Sequence, residues 1–77
     1  MTTALEYSVI IHEAEEGGHW VEVPALPGCY SQGESLEETL ENVKEAITLY
    51  LETLMDEERD IPQNSDVVFQ VTVPMEA

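Results

Sequence analysis

SLEETLENVKEAITLYLETLMDEE, residues 35–58, is the one stretch long and periodic enough to organise a core in this chain. Leu36, Leu40, Val43, Ile47, Tyr50 and Leu54 recur at alternating steps of four and three, which lines one side of an α-helix with apolar groups. Ser35 followed by Glu38 fits a capping box, in which the hydroxyl accepts from the Glu38 backbone N–H and the carboxylate reaches back. The helix therefore starts at Ser35 or Leu36. Pro62 cannot continue a helix and pushes Ile61 out of the α region, which predicts an end near Glu58 or Arg59.

Everything else must pack against that helix, and there is little else. The chain has 77 residues, enough for one domain with a marginal core. Its single cysteine, Cys29, excludes an internal disulfide, and no CxxC or His/Cys cluster suggests structural zinc. Oligomerisation is the supplement this leaves. With no signal-peptide pattern and no apolar run near bilayer length, the expected location is the cytoplasm, in keeping with a free thiol. Seventeen acidic residues face two basic ones, Lys44 and Arg59, for a net charge of -15. Such a surface repels phosphate backbones, so direct nucleic-acid binding is not expected and a basic partner is favoured.

Outward from the helix, residues 5–13 (LEYSVIIHE) alternate as a first strand, with Tyr7, Val9 and Ile11 in one phase. Glu15, Glu16, Gly17 and Gly18 form a turn, and HWVEVP (19–24) returns as an antiparallel second strand. For Val21 and Val23 to share a face with Tyr7, Val9 and Ile11, the loop must hold an odd number of residues, with three favoured. Residues 24–28, bounded by Pro24 and Pro27-Gly28, read as a bend. Cys29 to Gln32 make a short third strand, and after the helix DVVFQVTVP (66–74) alternates as a fourth. The expected class is α+β with order β-β-β-α-β. A right-handed crossover would put the fourth strand beside the first, giving a four-stranded mixed sheet of order 3-2-1-4 with one long helix on one face.

One helix covers one face. The other is expected to show Ser8, Ile10, His12, Trp20, Glu22, Val68, Gln70 and Thr72, and the wet apolar groups Ile10, Trp20 and Val68 point to a homo-oligomer or partner contact. At the helix C-terminus Asp56, Glu57 and Glu58 oppose the macrodipole with only Arg59 to compensate, which suits a cationic partner or an exposed end under no constraint.

No catalytic set emerges. His12 and His19 fall on opposite faces of the hairpin and cannot share a metal. Cys29 has no neighbouring base, Ser31, Ser35 and Ser65 lack a nucleophile-elbow context, and Gly17-Gly18 closes a hairpin instead of opening a phosphate-binding helix. No catalytic, cofactor or metal residue is therefore assigned.

The segment Pro24-Ala25-Leu26-Pro27-Gly28-Cys29, then Ser31-Gln32-Gly33-Glu34-Ser35-Leu36-Glu37-Glu38, then Asn42-Val43-Lys44-Glu45-Ala46-Ile47, resembles the HicB antitoxin family, and Tyr7 and Trp20-Val21 also fit. The resemblance covers residues 5–73. It implies a partial ribonuclease H-like fold and a role in a toxin–antitoxin pair, in which the partner, HicA, is a small basic ribonuclease with a double-stranded-RNA-binding-like fold. An acidic antitoxin would neutralise it by covering its RNA-binding surface. Many members continue into a C-terminal DNA-binding domain. Here residues 1–77 are expected to form a single HicB-like domain without one, which argues against autoregulation by this chain alone.

The leading expectation is a non-enzymatic, homo-oligomeric HicB-like antitoxin that contacts a HicA-type toxin through Glu13, Glu15, Glu16, Trp20, Glu22 and Tyr30. Two alternatives stand beside it: a degenerate metal-dependent nuclease with Glu13, Glu45 and Asp66 as ligands, and a homo-oligomeric binding module for another basic protein or small molecule.

Overall fold

The computed structural model describes residues 5–64 and 70–76. Its elements are β1 (Ile10–Glu13), β2 (His19–Glu22), β3 (Tyr30–Gly33) and α1 (Leu36–Asp56). The strands form an antiparallel meander in the order β1-β2-β3. In β1 and β2 Ile11 lies opposite Val21 and His12 opposite Trp20, so residues of equal parity share a face. The turn explains this phase. Ala14 N–H donates to the Gly18 carbonyl and Gly17 N–H to the Ala14 carbonyl, both at 3.1 Å, which confines the turn proper to Glu15, Glu16 and Gly17.

Between β2 and β3 the chain turns twice. Leu26 N–H donates to Val23 O and Cys29 N–H to Leu26 O, each at 3.0 Å. Pro27 and Gly28 occupy the middle of the second turn, with Gly28 at φ 83°, the pairing a type II turn requires. These turns push Leu26 inward until it is fully buried. The Tyr50 hydroxyl, on α1, donates to the Pro27 carbonyl at 2.8 Å and ties the loop to the helix.

Ser35 caps α1, its hydroxyl accepting from Glu38 N–H at 3.1 Å. At the other end Arg59 N–H donates to Leu54 O and Glu58 N–H to Met55 O, the paired bonds of a Schellman motif, with Glu58 at φ 54°. The helix lies closest to β3 and then β2. Val21, Val23, Leu26, Cys29 and Val43 form the buried cluster, flanked by Tyr7, Val9, Ile11, Ala46, Ile47, Tyr50 and Leu51. The inward stripe differs from the expected one at its start. Leu36 and Leu40 are exposed, and Thr39 is fully buried, its hydroxyl donating to Ser35 O at 2.7 Å. Gly33 makes this possible: a Cβ there would stand 2.6 Å from the Thr39 backbone nitrogen.

The four-stranded mixed sheet of order 3-2-1-4 is corrected by this architecture, which among the described residues is α+β with three antiparallel strands and one helix. Of the expected fourth strand, residues 66–69 lie outside the described residues, and residues 70–74 are not in a strand. Val71 and Val73 are exposed. The expected first strand over 5–13 also shortens to Ile10–Glu13. At residues 7 and 8 the chain is tied instead to the post-helix connection: Ser8 N–H donates to Asn64 Oδ1 at 3.0 Å and the Tyr7 hydroxyl to Pro62 O at 2.7 Å. Alternation shows what a segment would bury if paired and does not by itself secure the pairing.

Candidate protein-binding face

The sheet face turned away from α1 is built by the even residues of the three strands. Cross-strand register sets them in two rows: Ile10, Glu22 and Tyr30 in one, His12, Trp20 and Gln32 in the other. Trp20 is 37% exposed and Tyr30 60% exposed. Their ring centroids are 6.5 Å apart at 53°, which makes an open V in a cleft of about 430 Å³ that Ser31 and Gln32 complete. On its other side Trp20 carries His12 stacked at 4.0 Å and 15°. The His12 Nε2 has no hydrogen-bond partner and lies 3.8 Å from the Glu22 carboxylate. The face thus carries three rings, His12, Trp20 and Tyr30, with the Glu22 carboxylate beside His12.

Of the six residues singled out from the sequence, Trp20, Glu22 and Tyr30 come together here. Glu13 lies opposite His19 on the other side of the pleat and is exposed, and Glu15 and Glu16 stand at the exposed tip of the β1–β2 turn. His12 and Gln32 belong to the face and were absent from that set. The odd β1–β2 turn accounts for His12, and the β2–β3 register places Gln32 on the other side of Trp20.

The cationic groups stand apart from this face. Lys44 lines an apolar groove of about 750 Å³ between residues 5–9 and α1, together with Leu5, Tyr7, Val9, Val43 and Ile47. Arg59 sits beyond the helix and approaches Glu57 at 3.4 Å. That groove, though larger than the aromatic cleft, is lined by one carboxylate, Glu6, and by neither histidine nor cysteine. Cys29 is buried beneath the sheet, and desolvation raises its pKa, so near neutral pH it is a thiol that behaves as a small apolar group. Among the described residues no group of three or more His, Cys, Asp and Glu side chains could hold a metal ion. Asp66, one of the three ligands of the nuclease alternative, lies outside the described residues. No helix among the described residues is long and apolar enough to cross a membrane.

A family model described as the HicB-like antitoxin of a bacterial toxin–antitoxin system matches residues 7–75. A UPF0150 protein of Thermoplasma acidophilum is 46% identical over 61 residues, 79% of this chain and 88% of the relative. A UPF0150 protein of Synechocystis is 36% identical over 67 residues, 87% of this chain and 85% of the relative. A 14.9 kDa protein of Haemophilus phage HP1 is 31% identical over 68 residues, 88% of this chain and half of the relative. With a match over nearly its whole length, the chain belongs to the HicB-like antitoxin family.

Proposed function

We propose that the protein binds and neutralises a small basic ribonuclease of the HicA type by covering its RNA-binding surface, and that it works in the cytoplasm as a binding protein without catalysis of its own. The observation that carries this reading is charge. A domain with a net charge of -15 offers a cationic RNA-binding surface the same electrostatic attraction that RNA does, and so competes for it. Trp20, Glu22 and Tyr30 supply the contact face, with Glu13, Glu15 and Glu16 at the adjoining hairpin end. Aromatic groups suit the desolvated centre of such an interface and carboxylates its polar rim. The same charge repels nucleic acid, so the protein acts on the toxin and leaves the RNA alone.

Self-association belongs to the proposal, through exposed apolar groups such as Leu49, Met55 and Val71. The two contacts respond oppositely to salt. Screening weakens toxin binding and strengthens association between two strongly acidic copies. The test is co-purification with the product of an adjacent small basic reading frame, followed by an RNA-cleavage assay. The expected result is a stable complex in which an equimolar amount of the acidic chain stops cleavage. A basic neighbour that cleaves RNA at full rate in its presence would overturn the proposal.

A further inference from the structure

We infer that the V between Trp20 and Tyr30, with Glu22 beside it, receives an arginine side chain of the partner. The inference rests on a basic partner and names the group it presents. Trp20, one face of which His12 covers, and Tyr30 are both partly exposed and border a cleft of about 430 Å³, a volume that admits a planar guanidinium. Glu22 is the cross-strand partner of Tyr30 on the same face, and its carboxylate, 3.8 Å from His12 Nε2, adds negative charge beside the rings. His12 stacks on the opposite side of Trp20 and holds the indole upright before anything binds, which spares the partner the entropy of ordering it.

The chain cannot fill this site itself. It has two basic side chains, one lining the groove beside the helix and the other beyond the helix C-terminus against Glu57. A second copy is a poor occupant, since joining two such faces would bring two Glu22 carboxylates together on molecules already at -15. Arginine fits better than lysine because the guanidinium is planar and weakly hydrated. It can stack on an indole while its N–H groups reach a carboxylate, whereas an ammonium keeps its water.

The experiment titrates the full-length protein with hexa-arginine and, separately, hexa-lysine peptide, and follows the fluorescence of Trp20, the chain's one tryptophan. The expected result is a change in Trp20 emission with hexa-arginine and about three-fold tighter binding than hexa-lysine. Tyr30→Ala should weaken hexa-arginine by about three-fold and leave hexa-lysine nearly unchanged, and Glu22→Gln should weaken hexa-arginine by about three-fold more than it weakens hexa-lysine. Glu52→Gln on the exposed side of α1 removes the same charge and should weaken both peptides equally. Circular dichroism checks that each variant is folded. Equal binding of both peptides with a silent Trp20, or equal effects of Glu22→Gln and Glu52→Gln, would overturn the inference and leave only general attraction between charges. The toxin reading is separable. Arginine preference without capture of a basic ribonuclease sinks that reading alone, while full-affinity toxin binding by Tyr30→Ala sinks the receptor alone.

Discussion

The two faces of one three-stranded sheet divide the work of this molecule. Residues of odd number along β1 and β2 look toward α1 and bury Val21 and Val23 with Leu26, Cys29 and Val43. The even residues of the three strands, on the other side of the pleat, leave Ile10, Trp20 and Tyr30 exposed. Burying a Val or Leu side chain is worth about 1.5–3 kcal/mol, so most of the stability lies on one side of the pleat. The other side contributes little to holding the fold and is free to be shaped for a partner. The lesson is that in a domain this small, a period of two is enough to separate what folds from what recognises.

Breaking that separation is the most direct test of it. Leu26→Ala should cost about 3 kcal/mol, read from denaturant unfolding, because Leu26 is fully buried and fixed by two turns that leave its site little room to collapse. Gly33→Ala should cost about 2 kcal/mol in the same assay, since a methyl group 2.6 Å from the Thr39 backbone would force β3 and α1 apart. Glu58→Gly should add about 0.5–1 kcal/mol of stability, because a left-handed φ of 54° strains a glutamate and suits glycine. On the outer face Tyr30→Ala should change stability by no more than about 0.5 kcal/mol. A loss there as large as that of Leu26→Ala would mean the two faces are not separated. The last effect is absent at neutral pH. Burial raises the Cys29 pKa, so the folded chain holds its proton longer than the unfolded one, and stability is intact below the ordinary thiol pKa. It declines as pH rises above that value, and Cys29→Ala should flatten the decline in an alkaline unfolding series.

Much of this was legible in the sequence. The capping serine, the odd β1–β2 turn and the outward phase of Trp20 and Glu22 follow from local chemistry, and each has its counterpart among the described residues. Hydrophobic periodicity did not reveal Thr39, because it counts a threonine as polar, whereas the packed structure lets its hydroxyl return to the Ser35 carbonyl and bury its methyl. Nor did it reveal Leu26 as core, since a residue between two prolines reads as surface until Tyr50 is seen to hold the loop down. The order 3-2-1-4 failed for a different reason. It took alternation over 66–74 to imply pairing, whereas residues 70–74 are not in a strand, and the bonds from Tyr7 and Ser8 to Pro62 and Asn64 are long-range contacts that spacing does not show. On the candidate face, the stack of His12 on Trp20 was within reach of the derived register and was not drawn from it.

Those same bonds join residues separated by 55 and 56 positions, the widest spans among the side-chain bonds described. Closing a loop of that span forfeits more chain entropy than forming a hairpin turn or a helical turn, so the clasp should be made last during folding. It should also be the first to open in the folded protein, releasing both flanks of the groove in one event. Amide exchange at Ser8 would then run faster than in the centre of β2, marking the place where a protease first finds purchase.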